Sequence, residues 1–221
     1  MSEDRLEWTI RRLAQFYPEL PSHRATDPLD ELIGTILSQN TSDRNSAAAF
    51  RSLRAAFRDW RSAIVADVSQ IAESIRPGGL HRIKARRILN TLQAIEGLTG
   101  RLDLDWLRDL PQTEVRRHLV SIPGVGVKTA ACVEAFSLGL PACPADTHVS
   151  RICRRLGLVP AKASPEKAQA LLESETPPDE QLDLHRRMIR LGREVCHART
   201  PNCPACPLQT RCDHFASFVA G

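Results

Sequence analysis

Lysine is rare in this chain: of thirty basic residues only Lys84, Lys128, Lys162 and Lys167 are lysines. Lys128 stands just past a Gly-Val-Gly turn, so a phosphate bound by that turn would bring the sugar of a neighbouring nucleotide within reach of its amine. Its plainer use would be one more phosphate contact. Eighteen positions on, Asp146 sits in the run Pro-Ala-Asp-Thr-His-Val, where the blandest role for its carboxylate is to cap a helix beginning at Thr147. A carboxylate held at a helix start stays ionised, and near an amine it could stabilise a sugar cation or assist proton movement. Lysine and aspartate together suit the breaking of a glycosidic bond.

A second constellation occupies the last 26 residues, where Cys196, Cys203, Cys206 and Cys212 are spaced C-x6-C-x2-C-x5-C. Four thiols in so short a span point to a metal centre, and tetrathiolate sites hold either zinc or an iron-sulfur cluster. Zinc sites usually pair two short Cys-x-x-Cys knuckles. Here only Cys203 and Cys206 form one, and the unequal flanking gaps favour a 4Fe-4S cluster. Cys132, Cys143 and Cys153 fall outside the group and read as small buried hydrophobes.

The turn before Lys128 belongs to the segment Leu119 to Ala131, LVSIPGVGVKTAA. A helix ends at Pro123, the turn Gly124-Val125-Gly126 follows, and a second helix starts near Lys128, which is a helix-hairpin-helix signature. The glycines can take conformations closed to other residues and let main-chain N–H groups approach an anion. With the positive end of the following helix, such groups bind a DNA phosphate without reading its base. A tight helical corner is the alternative use of the same glycines.

The elements that must position these residues read as helices. Aromatics are 5% of the chain and strand-like alternation is absent, so Leu, Ile, Val and Ala must fill an all-α core. Asp27-Pro28 opens a helix through Leu29, Leu32, Ile33, Ile36 and Leu37, and Ser164-Pro165 repeats the same start signal. From Asp43 to Arg76 no Gly or Pro interrupts helical spacing, and Gly139 and Gly157 mark helix stops. With 221 residues and 42% hydrophobic content the chain can bury one large core or two. No apolar run approaches the roughly 20 residues of a membrane span, and the start of the chain is too polar for a secretory signal. Seven cysteines, an odd number without an export signal, argue against a disulfide framework and for a reducing cytoplasm.

The hairpin IPGVGVKTAA, the PADTH segment after it and the four-cysteine pattern together resemble the endonuclease III family of DNA base-excision glycosylases. ILSQNTSD at Ile36 to Asp43 and GLHRIKA at Gly79 to Ala85 also resemble family segments, so the likeness extends across nearly the whole chain. The resemblance implies a two-lobed helix-hairpin-helix DNA glycosylase fold. Residues 23–140 would form a six-helix barrel lobe, residues 1–22 and 141–221 an iron-sulfur cluster lobe, and duplex DNA would lie across the cleft. Lys128 falls on the family's Schiff-base lysine and Asp146 on its essential aspartate.

What the resemblance implies for DNA contacts follows the same segments. Gln39, Asn40 and Thr41 on one loop and Leu80 and His81 on another would enter the gap left by a flipped base. Aligned on Asp43, Asn40 stands where many members carry Gln, and His81 replaces a common Tyr. Gly124, Val125 and Gly126 would clamp a phosphate. Arg76, Arg82, Lys84, Arg86 and Arg87 beside the second loop, and Arg193 and Arg199 beside the first cluster thiol, would meet further phosphates. The expected activity is that of a monomeric, nucleoid-associated bifunctional glycosylase and abasic-site lyase removing oxidised pyrimidines in base excision repair. A monofunctional mismatch glycosylase of the same superfamily is the nearest rival; Lys128, and a chain that stops nine residues after Cys212 without a further domain, argue against it. A non-catalytic iron-sulfur DNA-binding protein is a third reading, disfavoured by the retention of both Lys128 and Asp146.

Overall fold

The computed structural model describes residues 4–219. They are all-helical with no strand, and they fall into two compact units, residues 25–140 and residues 4–24 with 141–219. The termini of the expected cluster lobe, 1–3 and 220–221, lie outside the described residues.

The continuous unit carries α2 (Pro28–Ser38), α3 (Asp43–Ala56), α4 (Trp60–Ile64), α5 (Val68–Ser74), α6 (His81–Thr99), α7 (Gln112–Ser121) and α8 (Val127–Val133). The start signals act as their residue types require. Asp27 Oδ1 accepts from the N–H groups of Leu29 and Asp30 at 2.9 Å each, with Pro28 at the first helical position, and Ser42 caps α3 through Asn45 N–H. Leu32, Ile33, Ile36 and Leu37 of α2 are fully buried against Leu53, Ile71, Ile88 and Leu92, so α2 is the central strut of this core. After Val133 the chain widens into a π-helical turn, Glu134–Leu138, which Gly139 ends in the left-handed conformation at φ 67°.

The second unit carries α1 (Arg5–Phe16), α9 (Thr147–Arg155), α10 (Pro165–Glu175), α11 (Gln181–Glu194) and α12 (Asp213–Val219). Its core joins Leu6 and Leu13 of α1 to Val149 and Ile152 of α9, Leu172 of α10, and Leu184, Met188 and Leu191 of α11. Ser164 caps α10, and Gly157, at φ 69°, follows α9. α9 and α11 cross closely at Gly192, where a Cβ would lie 2.5 Å from Nδ1 of His148. No helix among the described residues is long and apolar enough to cross a membrane.

Candidate active site and cysteine centre

Three loops of the continuous unit carry the residues the sequence marks for DNA. The first, between α2 and α3, presents Asn40 exposed and in the left-handed region at φ 53°. The second, before α6, presents Leu80 at φ 49°, with half of its surface exposed. Asn40 and Leu80 are the only non-glycine residues with positive φ among the described residues. A β-carbon is disfavoured there by roughly 1 kcal/mol or more, least for asparagine, so the fold holds strain chiefly at Leu80 and less at Asn40. Leu80 is therefore no core residue. Gln39 and Thr41 are half-buried, the Gln39 side chain accepting a hydrogen bond from Arg87, and His81 is half-buried at the start of α6.

The third loop is the hairpin between α7 and α8. Gly124 takes φ 84°, which only glycine adopts without strain. Gly126 does not behave as its residue type suggested: at φ −90° and ψ 174° it is ordinary extended backbone. A Cβ there would meet nothing within 4 Å, so the turn is open on that side. Val125 also departs from expectation. Its side chain is buried and its N–H donates to Ile122 O at 3.0 Å, so it offers the clamp no donor. The N–H groups of Gly124 and Gly126 find no partner among the described residues, and no side chain caps α8. α6 likewise starts without a side-chain cap, whereas α2, α3, α9 and α10 all have one. Of the helices that begin at the three candidate DNA loops, α6 and α8 thus start without a side-chain cap, and α3 is capped by Ser42.

Lys84 requires a correction. The sequence reading placed it among phosphate contacts, but it is 2% exposed, and Nζ donates to Leu37 O at 2.7 Å and Gly78 O at 2.8 Å. A cation held inside the protein by two carbonyls cannot reach DNA. Arg87 is likewise engaged, with Gln39, while Arg82 and Arg86 are exposed.

Lys128 lies in the first turn of α8, half-buried, and one helical turn on is Cys132. Burial pushes the Cys132 thiol up; the Lys128 ammonium, which hydrogen-bonds it, opposes this, and Glu31 adds to it. Thr35 Oγ1 also reaches that thiol and donates to Glu31 Oε1 at 3.3 Å. The sequence reading saw Cys132 only as packing, although its i+4 spacing from Lys128 was a visible signal.

Behind Lys128 the hairpin is fastened by charge. Glu134, fully buried at the end of α8, accepts from Arg116 Nε at 2.9 Å and from Nη2, and from Gln112 Nε2 at 3.3 Å, all on α7.

In the other unit, Asp146 caps α9 as expected, Oδ1 accepting from Val149 N–H at 2.8 Å, and stays half-exposed. Two arginines one turn apart on α9 reach the cysteine loop. Arg151 donates to Cys196 O from Nη2 at 2.8 Å and from Nε at 3.1 Å, and Arg155 Nη1 lies 3.1 Å from Cys196 Sγ and 2.7 Å from His197 O. Cys196, Cys203, Cys206 and Cys212 are all free thiols lining one recess, closed on its sides by Val195, Pro201 and Phe215. Burial first, and then the other three sulfurs, pushes the Cys206 thiol up to about 11, and burial raises that of Cys212 as well. No three His, Cys, Asp or Glu side chains among the described residues converge on a point fit for one metal ion, although the four thiols share the recess. Four thiols sharing one recess are a donor set that tetrathiolate metal centres use. Cys143 and Cys153 are buried in the helical core, as small apolar residues would be. Arg193 and Arg199 are exposed beside Cys196.

Comparison with known proteins gives the family and the fold. Residues 33–178 match the model of the HhH-GPD superfamily base excision DNA repair proteins. The chain is 32% identical over 211 residues to endonuclease III of Thermotoga maritima, covering 95% of this chain and 93% of that protein. It is also 36% identical over 179 residues to DNA glycosylase/AP lyase ROS1 of Arabidopsis thaliana and 37% identical to rice Protein ROS1C, but spans only 13% and 10% of their lengths. A solved structure of a trapped endonuclease III–DNA covalent intermediate superposes with a TM-score of 0.85 at 29% identity, covering 99% of both chains. A thermostable thymine-DNA glycosylase shares the fold, with a TM-score of 0.80 at 18% identity.

Proposed function

Because the chain belongs to the HhH-GPD superfamily of base excision DNA repair proteins and is endonuclease III-like over nearly its whole length, we propose that it is a DNA glycosylase and abasic-site lyase, acting on oxidised pyrimidines in duplex DNA. The observation that carries the reading is Lys128 in the first turn of α8, directly behind the open donors of Gly124 and Gly126. A phosphate held by those donors fixes the strand beside the amine.

The damaged nucleotide leaves the stack, and the side chains of Asn40 and Leu80 fill the space it vacates. Lys128, deprotonated, attacks the sugar C1′; the bond to the base breaks and the base departs with the electron pair, taking up a proton. Ring opening gives an imine between Nζ and C1′. Loss of the C2′ proton then expels the 3′ phosphate by β-elimination and cuts the strand. Asp146, whose carboxylate caps α9 through Val149 N–H, offsets the positive charge that develops on the sugar. A 4Fe-4S cluster on Cys196, Cys203, Cys206 and Cys212 would serve structure: it would tie the loop carrying Arg199, which follows the last turn of α11 with Arg193, to α9, so that these side chains meet backbone phosphates.

Borohydride trapping tests the reading. The chain should cross-link to duplex DNA containing an abasic site, and Lys128→Ala should abolish the adduct. Wild-type yield from Lys128→Ala would overturn the assignment of the nucleophile.

A further inference from the structure

Residues 84, 87 and 91 of α6 follow i, i+3, i+7 spacing and so lie in one stripe of that helix. Each side chain reaches a different loop boundary. Lys84 Nζ donates to Leu37 O, one turn before Asn40, and to Gly78 O, two residues before Leu80. Arg87 donates to the side-chain oxygen of Gln39, and its aliphatic stem fills the space over Gly124, where a Cβ would lie 3.2 Å from Arg87 Cγ. Thr91, fully buried, donates to Pro123 O at 3.5 Å, at the mouth of the hairpin.

We propose that Lys84, Arg87 and Thr91 are positioning residues that tie the loops 38–42, 78–81 and 122–126 into one rigid edge. The inference rests on the DNA-facing role proposed above for those loops. Its logic is strain: Leu80, and to a lesser degree Asn40, sit in a left-handed region that side chains avoid, and exposed loops would relax out of it unless their ends were fixed. A buried ammonium bridging two carbonyls fixes both loops at one atom, and hydrogen bonds from charged donors are the stronger kind. Burial pushes the Lys84 ammonium below its ordinary pKa, with Arg87 adding to the effect, as befits a cation whose partners are carbonyls. With Gln39 held by Arg87, Asn40 is the residue of that loop left to project.

Hydrogen exchange on the free full chain tests the lock before any DNA is present. Lys84→Met and Arg87→Leu should each speed amide exchange in segments 38–42 and 78–81 by about tenfold, equivalent to about 1.4 kcal/mol, with α10 of the other unit unchanged. Arg87→Leu should extend the effect to the hairpin, and Arg87→Lys, which keeps a donor, should restore part of the protection. Should Lys84→Met fail to fold, Arg87→Leu carries the same test. Unchanged exchange in these segments would overturn the proposal. On DNA, both variants should slow base excision at saturating enzyme while keeping trapping on a preformed abasic duplex within about twofold of wild type, since Lys128 is untouched. Faster exchange with an undiminished excision rate would refute the positioning role. Absence of trapping by the wild type would sink the catalytic reading, and the exchange result would still decide the lock.

Discussion

At the scale of single residues, the chemistry-bearing types were legible because each carries a local signature. Asp146 is followed by a helix and caps it, and Lys128 follows the hairpin. Asp146→Asn separates the two uses of that side chain: it keeps a capping oxygen and removes the charge. Thermal unfolding should change by less than about 1 kcal/mol, whereas single-turnover base excision should fall by about a hundredfold. A mutant with unaltered excision and a collapsed melting temperature would make the residue structural. What the sequence hid was direction. Nothing in GLHRIKAR distinguishes Lys84, which turns inward to two carbonyls, from Arg82 and Arg86, which face solvent, until the register of α6 against α2 is known. Gly192 was hidden for the same reason, because its need for hydrogen in place of a Cβ comes from His148, 44 positions earlier in the chain. Gly192→Ala should cost about 1–3 kcal/mol in denaturant unfolding by forcing α9 and α11 apart.

At the scale of elements, boundaries marked by proline and a capping residue fell where they were read, at Asp27-Pro28 and Ser164-Pro165, and Gly139 stops the turn after α8. The helix pair of the hairpin holds a feature no spacing rule supplies. Glu134 lies 18 positions beyond Arg116, yet its fully buried carboxylate pairs with Arg116 at the base of the hairpin, where α8 widens into its π turn. Removing one partner leaves an uncompensated buried charge, so Arg116→Met should destabilise by about 3–5 kcal/mol in urea titration. Arg116→Met with Glu134→Leu should recover most of that loss. A single mutant as stable as wild type would show that the pair does not fasten the hairpin.

At the scale of the whole molecule, the all-helical class followed from low aromatic content and missing alternation, while the split of the chain into units with an N-terminal helix in the second could not be read from periodicity. The purified protein should be yellow-brown, with iron and sulfide near four each per chain, as four thiol ligands require for one cluster. One zinc and no colour would refute that assignment. Arg199→Ala should weaken binding to damaged and undamaged duplex alike and lower the slope of log affinity against log salt by about one unit. Normal binding with a collapsed saturating rate would instead tie this loop to the chemistry.

The left-handed backbone at Asn40 and Leu80 bears on how such a protein can be improved. Glycine accepts that conformation freely, so Leu80→Gly removes strain from a residue that contributes little core contact. Directed selection for heat resistance alone should therefore drift toward glycine at both positions and return proteins that melt no earlier than the parent yet no longer process damaged DNA. Thermal tolerance and repair would be separated by two substitutions, and any stabilisation campaign has to hold these sites fixed.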